Sequence, residues 1–217
     1  MSMQLARYNM VDQQIKPLGV LDERILNAFL SCPREQFVPA AYQNVAYADT
    51  ALPLGNGRML LAPNVIGRML QALALNGSED ILEIGAGTGY ITALLAKLGR
   101  HVTSIENSKP LVMQANTKLA ALALTNYEII TGTATKVLQG NKGFDVIVLT
   151  GSVPYLPKVF SSHAKRGGRL FAVLGHAPAM YACIFTRINE EEWSQVRLFE
   201  TVIPQLKEIA DVATFEF

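Results

Sequence analysis

The sequence has no large excess of positive or negative charge and no long apolar run. Both absences limit the classes of function that the protein can have. Its 19 Lys and Arg residues nearly balance its 18 Asp and Glu residues, and no long basic run occurs. A broad electrostatic footprint for nucleic acid or an anionic membrane is missing, so we expect neither partner. The N-terminus lacks the apolar core of a signal peptide, and no apolar run is long and continuous enough to span a bilayer. We therefore expect a cytoplasmic protein.

Cysteine and histidine are also scarce, so few side chains could bind a metal ion or act as a nucleophile or its base. The two cysteines, Cys32 and Cys183, show no metal-ligand spacing, and we interpret them as reduced core thiols. The three histidines, His101, His163 and His176, have neither metal-ligand spacing nor an evident nucleophile partner. We expect no metal site, and the sequence identifies no catalytic residue.

The chain begins with helical periodicity. Half of its 217 residues are hydrophobic, which is enough to bury a full core as one domain, residues 1–217. Asp22 can cap an amphipathic helix that ends before Pro33. Residues 39–63 are punctuated by Pro and Gly, and helical periodicity returns after Asn64, a possible cap. We expect residues 1–75 to form a helical and loop extension on the substrate side.

From Asp80 onward, apolar runs of strand length alternate with helical segments. The runs are DILEI, HVTSIE, YEIIT, FDVIVLT and GGRLFAVLG. Apolar strands without polar alternation are buried on both faces, which indicates a parallel sheet between helices. We predict an α/β fold, a Rossmann-like doubly wound and mostly parallel sheet over residues 76–217, with edge strands in residues 181–217.

The stretch LEIGAGTGY, residues 82–90, carries the strongest functional signal. Gly85, Gly87 and Gly89 are spaced G-x-G-x-G after Glu83, whereas a dinucleotide site reads G-x-G-x-x-G. Glu106 lies 21 residues beyond Gly85, at the end of the next predicted strand, where a carboxylate can accept both ribose hydroxyls. The pattern resembles motif I of class I S-adenosylmethionine-dependent methyltransferases. A NAD site and a Rossmann turn without ligand remain alternatives.

Further segments resemble the protein-L-isoaspartate O-methyltransferase family in the same order. They are PREQFVP (33–39), AYADTALPLGNGR (46–58), the glycine stretch and FDVIVLTGSVPYLP (144–157). NMVDQQIKPLGVLD near the start and LFETVIPQL near the end are similar to a bacterial branch. The resemblance implies methyl transfer from S-adenosyl-L-methionine to the free carboxylate of an L-isoaspartyl residue, which begins the repair of a damaged protein or peptide.

This chemistry is compatible with the absence of an evident base. A carboxylate with a pKa of about 3.5 to 4 is already ionised at neutral pH. The anionic nucleophile and the cationic sulfonium neutralise each other in the transition state, so a water-poor site that aligns them favours reaction.

One departure from the family pattern concerns the substrate loop. Met59, Leu61 and Ala62 stand where the family usually has Thr, Ser and Gln. Leu61 cannot donate a hydrogen bond, and losing such a bond to a charged group costs roughly 1.5 to 3 kcal/mol. Two interpretations stay open: a differently packed loop, and a pocket for a substrate more apolar than an isoaspartyl backbone.

A second departure concerns the cofactor. After the third strand the family usually reads G-D-G, whereas this chain reads Gly132, Thr133, Ala134. A neutral Thr133 makes a weaker hydrogen bond to the adenine amino group than an acid does, so we expect weakened rather than abolished binding.

The predicted site residues fall into two groups. The cofactor-binding group is Glu83, Gly85, Ala86, Gly87, Gly89, Glu106, Asn107, Thr133 and Ala134. The substrate group is Arg58, Leu61, Thr150 and Ser152. Arg58 could meet a substrate carboxylate or remain solvated, and Thr150 and Ser152 follow a strand at its carboxyl end, where ligands of open α/β sheets collect. A methyltransferase with another substrate and an adenosyl-ligand binding protein without turnover are the alternative functions. The oligomeric state is not determined by the sequence.

Overall fold

Short helical segments dominate residues 3–45 of the protein. The computed structural model describes residues 2–139, 143–207 and 209, so the end of the stretch predicted to hold edge strands, residues 208 and 210–217, lies outside the described residues. The segments are α1 (Met3–Asn9), a π-helical turn (Met10–Ile15), α2 (Glu23–Leu30) and three 3-10 turns (Lys16–Leu18, Arg34–Gln36 and Ala40–Val45). The Asp22 carboxylate accepts a hydrogen bond from the Arg24 amide at the start of α2, which confirms the predicted cap.

The stretch rich in glycine and proline folds into a β-hairpin. Strand β1 (Leu52–Gly55) pairs antiparallel with β2 (Arg58–Leu60). Asn56 and Gly57 form the turn at φ values of 50° and 70°, the left-handed conformation that two-residue hairpin turns favour.

Helix α3 follows the hairpin directly. It spans Pro63–Leu73, and Pro63 occupies its first turn, where a fixed φ and a missing N–H cost nothing. The predicted cap at Asn64 is therefore wrong, since Asn64 lies inside the helix. Its backbone N–H and side-chain amide both donate to the Asp49 carboxylate, which ties the start of α3 to the preceding loop.

A seven-stranded sheet forms the centre of the described structure. Its parallel strands are β3 (Asp80–Ile84), β4 (His101–Glu106), β5 (Tyr127–Thr131), β6 (Phe144–Val153) and β7 (Ala164–His176). Two antiparallel strands, β8 (Ala179–Arg187) and β9 (Trp193–Glu200), extend the β7 edge. The spatial order is β5-β4-β3-β6-β7-β8-β9, which confirms the predicted mostly parallel sheet and its edge strands.

Both faces of the sheet are buried, as the unbroken apolar strands predict. On β6, Val146 and Val148 join the apolar cluster on one face, while Ile147 and Leu149 join the cluster on the other. The remaining helices are α4 (Tyr90–Leu98), α5 (Lys109–Ala121), α6 (Ala134–Val137) and α7 (Lys158–Ser162). Within the part of the chain that the structure describes, no helix has the length and apolar content to cross a bilayer.

Candidate functional site

A cleft lies at the carboxyl ends of β3, β4 and β6, where the strand order reverses: β4 and β5 lie on one side of β3, and β6 and β7 on the other. Ligands of open α/β sheets bind at this switch point. The cleft is partly open to solvent and has a cavity volume of about 40 Å³. Five segments line it: the glycine loop after β3, the end of β4, the end of β6, the β1–β2 hairpin, and residues 204–207, here called the tail segment.

The glycine loop, residues 85–89, brings bare backbone to the cleft. Gly85, Gly87 and Gly89 all have positive φ, between 55° and 94°. A Cβ on Gly87 would lie 3.2 Å from the Leu54 side chain, and one on Gly89 would lie 3.0 Å from Ala115. A side chain at Gly87 would crowd the hairpin, and one at Gly89 would crowd α5. Because these positions carry no side chain, a ligand can lie close to the loop backbone. Ala86, between the first two glycines, is buried.

Glu106 is the carboxylate of the cleft. It ends β4, its side chain is 1% exposed, and it lines the cleft beside Gly85 and Gly87. Its Oε2 accepts the Gly87 N–H at 3.0 Å, and its Oε1 accepts the Ser108 N–H at 2.8 Å. Two backbone donors thus hold the carboxylate in one orientation, and a carboxylate with two acceptor oxygens suits a pair of adjacent hydroxyls. The donor set therefore fits the ribose of an adenosyl ligand.

Glu83 lies beneath the glycine loop and does not line the cleft. It is fully buried, and its Oε2 accepts hydrogen bonds of 2.5 Å from the hydroxyls of Thr92 on α4 and Ser104 on β4. The pKa of Glu83 is raised to about 7, because the effect of burial, together with that of the nearby Glu106, exceeds the lowering by the two hydroxyl hydrogen bonds. The side chain fastens α4 to β4 and so supports the loop from below.

Arg58, Asn107 and Lys207 form a polar cluster at the mouth of the cleft, here called the clasp. Arg58 Nη2 lies 3.5 Å from Glu106 Oε1 and donates to the Asn107 side-chain carbonyl. The Asn107 amide donates to the Lys207 carbonyl oxygen at 2.8 Å, and Lys207 Nζ donates to the carbonyl of Asn56 in the hairpin turn. The clasp joins the hairpin, the end of β4 and the tail segment.

Thr150 and Ser152, at the end of β6, make different contacts. The Thr150 hydroxyl lies 2.9 Å from the Ile84 carbonyl oxygen and 2.7 Å from that of Gly85, and Thr150 lines the cleft. Ser152 is buried, and its hydroxyl donates to the Ile203 carbonyl. Thr150 thus tethers β6 to the glycine loop, while Ser152 holds the chain that leads into the tail segment.

Leu61 is 1% exposed, and its side chain packs in the core instead of lining the cleft. Its carbonyl oxygen accepts a 2.8 Å hydrogen bond from Arg34, which also donates to the Ala46 carbonyl. Arg34 is completely buried, and its guanidinium lies 5.2 Å from the centre of the Tyr90 ring. The structure therefore gives Leu61 a packing role, and Met59 is the substituted loop residue that reaches the cleft.

Thr133 and Ala134 lie at the carboxyl end of β5, next to Glu106. The Gly132 N–H donates to the Glu106 carbonyl oxygen at 3.0 Å. Thr133 precedes α6, and its hydroxyl lies 3.4 Å from that of Thr135. Ala134 is buried beneath it. Their assignment to the adenine side of the site stays a prediction, as does every other residue role.

Neither the tail segment nor Arg34 was predicted as part of the site, although PREQFVP contains Arg34 and LFETVIPQL contains residues 204–206. Gly151 carries a signal for the tail segment, since a Cβ there would lie 2.8 Å from the Leu206 Cα. Among the residues that the structure describes, no group of three or more His, Cys, Asp or Glu side chains could hold a metal ion.

Comparisons with known proteins agree on one family. Residues 6–205 match the family model described as protein-L-isoaspartate(D-aspartate) O-methyltransferase. The protein-L-isoaspartate O-methyltransferase of Koribacter versatilis is 38% identical over 84% of this chain and 82% of the relative. That of Herpetosiphon aurantiacus is 39% identical over 80% of this chain and 78% of the relative.

Solved structures support the fold. A Plasmodium falciparum structure that carries the same family name, in complex with S-adenosyl-L-homocysteine, superposes with a TM-score of 0.77. It is 21% identical and covers 96% of this chain and 99% of its own. A second structure named protein-L-isoaspartate O-methyltransferase gives a TM-score of 0.78 at 24% identity, covering 92% of this chain and 65% of its own.

Proposed function

The chain belongs to the protein-L-isoaspartate(D-aspartate) O-methyltransferase family, and from this premise we propose that it methylates isoaspartyl residues. The methyl donor is S-adenosyl-L-methionine, and the acceptor is the free carboxylate of an L-isoaspartyl residue in a protein or peptide. One observation carries the proposal: the oriented Glu106 carboxylate beside a side-chain-free glycine loop, at the switch point of the sheet.

Residues on three strand ends would hold the cofactor. Glu106 accepts the ribose hydroxyls, the backbone of Gly85 and Gly87 leaves room for the amino-acid portion, and Thr133 borders the adenine. Glu83 supports this arrangement without contact, through its hydrogen bonds to α4 and β4. When bound, S-adenosylmethionine supplies a methyl group on a positively charged sulfur.

The contribution of the chain to catalysis is alignment and exclusion of water. The acceptor carboxylate is ionised at neutral pH, so it needs no base to activate it. Leu54, Met59 and Leu206 bring apolar surface to the walls of the cleft. Such walls reduce access of water, which strengthens the attraction between an anionic nucleophile and a cationic leaving group.

The organisation of the chain follows from the same proposal. Residues 1–75 contribute the hairpin and form part of the substrate side, and residues 76–217 form the cofactor-binding core of a single domain. The partner is a damaged protein or peptide, not nucleic acid or a membrane, because the net charge of +1 is close to balance. We place the protein in the cytoplasm.

A second candidate function rests on the hairpin. Met59 lines the cleft and Leu61 is buried, so these two positions offer no hydroxyl to a substrate carboxylate. This observation favours a methyltransferase that acts on a carboxylate in a more apolar setting than an isoaspartyl backbone.

Calorimetric titration with S-adenosylhomocysteine, the expected product, tests the cofactor half of the proposal. We expect saturable binding by the wild-type protein and at least tenfold weaker binding by Glu106→Gln, which keeps the side-chain shape and removes the charge. The matched control is Glu128→Gln, which removes an exposed carboxylate of β5. Equal affinity in Glu106→Gln and the wild type would contradict the placement of the ribose.

A further inference from the structure

Arg58 makes contacts to the predicted ribose acid that the proposed reaction does not explain. Its Nη2 lies 3.5 Å from Glu106 Oε1, with the arginine side chain 16% exposed and the glutamate side chain 1% exposed. The same guanidinium nitrogen donates to the side-chain carbonyl of Asn107, the residue after Glu106. A cation from the substrate-side hairpin therefore contacts both Glu106, the predicted ribose acceptor, and Asn107, a predicted cofactor-binding residue.

The two partners differ in how firmly they are held. Glu106 ends a central parallel strand, and the backbone N–H groups of Gly87 and Ser108 fix its two oxygens. Arg58 begins a strand of three residues directly after a turn made by Asn56 and Gly57. Its position depends on the clasp, in which Lys207 holds Asn56. Arg58 therefore lies on a short two-stranded hairpin, whereas Glu106 belongs to a central strand of the seven-stranded sheet.

Ribose hydroxyls and the Arg58 guanidinium would both donate hydrogen bonds to the carboxylate oxygens of Glu106. Each Glu106 oxygen accepts one backbone hydrogen bond, and Arg58 approaches Oε1, one of the two oxygens that the ribose hydroxyls would use. Both the guanidinium and a ribose hydroxyl are donors toward a carboxylate, and they cannot occupy one position together.

We propose that Arg58 is an intramolecular competitor of the adenosyl ribose at Glu106, so that cofactor binding releases the clasp and frees the substrate-side hairpin. The inference rests on the proposed function and deepens it, because it assigns regulation of the same site. The coupling is reciprocal: a cofactor that displaces Arg58 loosens the hairpin, and return of Arg58 to Glu106 favours product release. Cofactor would then bind before the peptide.

The test is the affinity for S-adenosylhomocysteine of full-length wild-type protein, Arg58→Gln and Arg68→Gln, measured by calorimetry. Arg58→Gln removes the competitor, and we expect it to bind roughly two- to fivefold more tightly than wild type, the range for a partly shielded ion pair. Arg68→Gln makes the same change to net charge at a guanidinium that stacks 3.6 Å from the Phe199 ring, away from the cleft. Its affinity should equal that of wild type.

A second measurement separates competition from a change in folding. Raising the salt concentration screens the Arg58–Glu106 pair, so affinity should rise in wild type and stay nearly constant in Arg58→Gln. If Arg58 were instead a ligand of the cofactor carboxylate, Arg58→Gln would bind more weakly. Weaker or equal binding by Arg58→Gln overturns the inference and leaves the proposed function intact. If none of the three proteins binds S-adenosylhomocysteine, the proposed function is wrong and the inference with it.

Discussion

Replacing Glu83 with Gln should change how stability depends on pH. Glu83 is fully buried, and only its Oε2 receives hydrogen bonds, from Thr92 and Ser104. A glutamine side chain of the same shape can accept both bonds through its amide oxygen. It cannot ionise, so the variant isolates the effect of the buried charge.

The size of the effect follows from the pKa of Glu83. Burial, opposed in part by the two hydroxyls and reinforced by Glu106, raises this pKa from 4.5 to about 7. Between these values the folded protein keeps a proton that the unfolded chain has lost, so the free energy of unfolding falls as pH rises. Since one pKa unit corresponds to about 1.4 kcal/mol, the loss is about 3 kcal/mol, and it is complete just above pH 7.

Urea denaturation of the wild type and Glu83→Gln at several pH values from 4.5 to 8 measures this loss. We expect the variant to gain about 3 kcal/mol relative to wild type across that range. Carboxylates with lowered pKa values, such as Glu79 and Asp145, act in both proteins and cancel in the difference. A difference in stability that stays constant with pH would refute the buried, protonated Glu83.

Two further substitutions and one chemical modification test other parts of the structure. Thr133→Asp restores an acid beside the adenine and should tighten binding of S-adenosylhomocysteine by roughly tenfold in calorimetry, and unchanged affinity would place Thr133 outside the adenine site. Gly151→Ala puts a Cβ 2.8 Å from the Leu206 Cα, so we expect faster hydrogen exchange in the tail segment, whereas unaltered exchange would contradict the close packing. Cys32 is buried with its pKa raised to about 12, and it should resist a thiol reagent at pH 8 until the protein is unfolded; rapid modification in the folded state would contradict this burial.

The central sheet could be predicted because its signals are local. Each strand of the core is a short apolar run, and each connection carries a glycine turn or helical periodicity. The position of Glu106 at the cleft could be predicted for the same reason. Parallel strands end at the same edge of the sheet, and the glycine loop follows β3, the strand that pairs with β4. Helix boundaries were less predictable, and Pro63 outcompeted Asn64 for the start of α3.

The clasp and the buried Arg34 could not be predicted, because their contacts join distant parts of the chain. Asn107 and Lys207 are 100 residues apart, and no periodicity brings the tail segment to the end of β4. Arg34 was not predicted to be buried, yet it has no exposed surface and donates to the carbonyls of Ala46 and Leu61. Such contacts depend on tertiary packing rather than on local pattern.

The most direct test of the proposed function is transfer of a labelled methyl group from S-adenosylmethionine to a pair of peptides. The peptides share one sequence and differ only in an L-isoaspartyl or an L-aspartyl linkage. We predict base-labile methyl ester on the isoaspartyl peptide alone, with the signal greatly reduced in Glu106→Gln. Equal labelling of both peptides, or none by a protein that binds S-adenosylhomocysteine, would contradict isoaspartyl methylation.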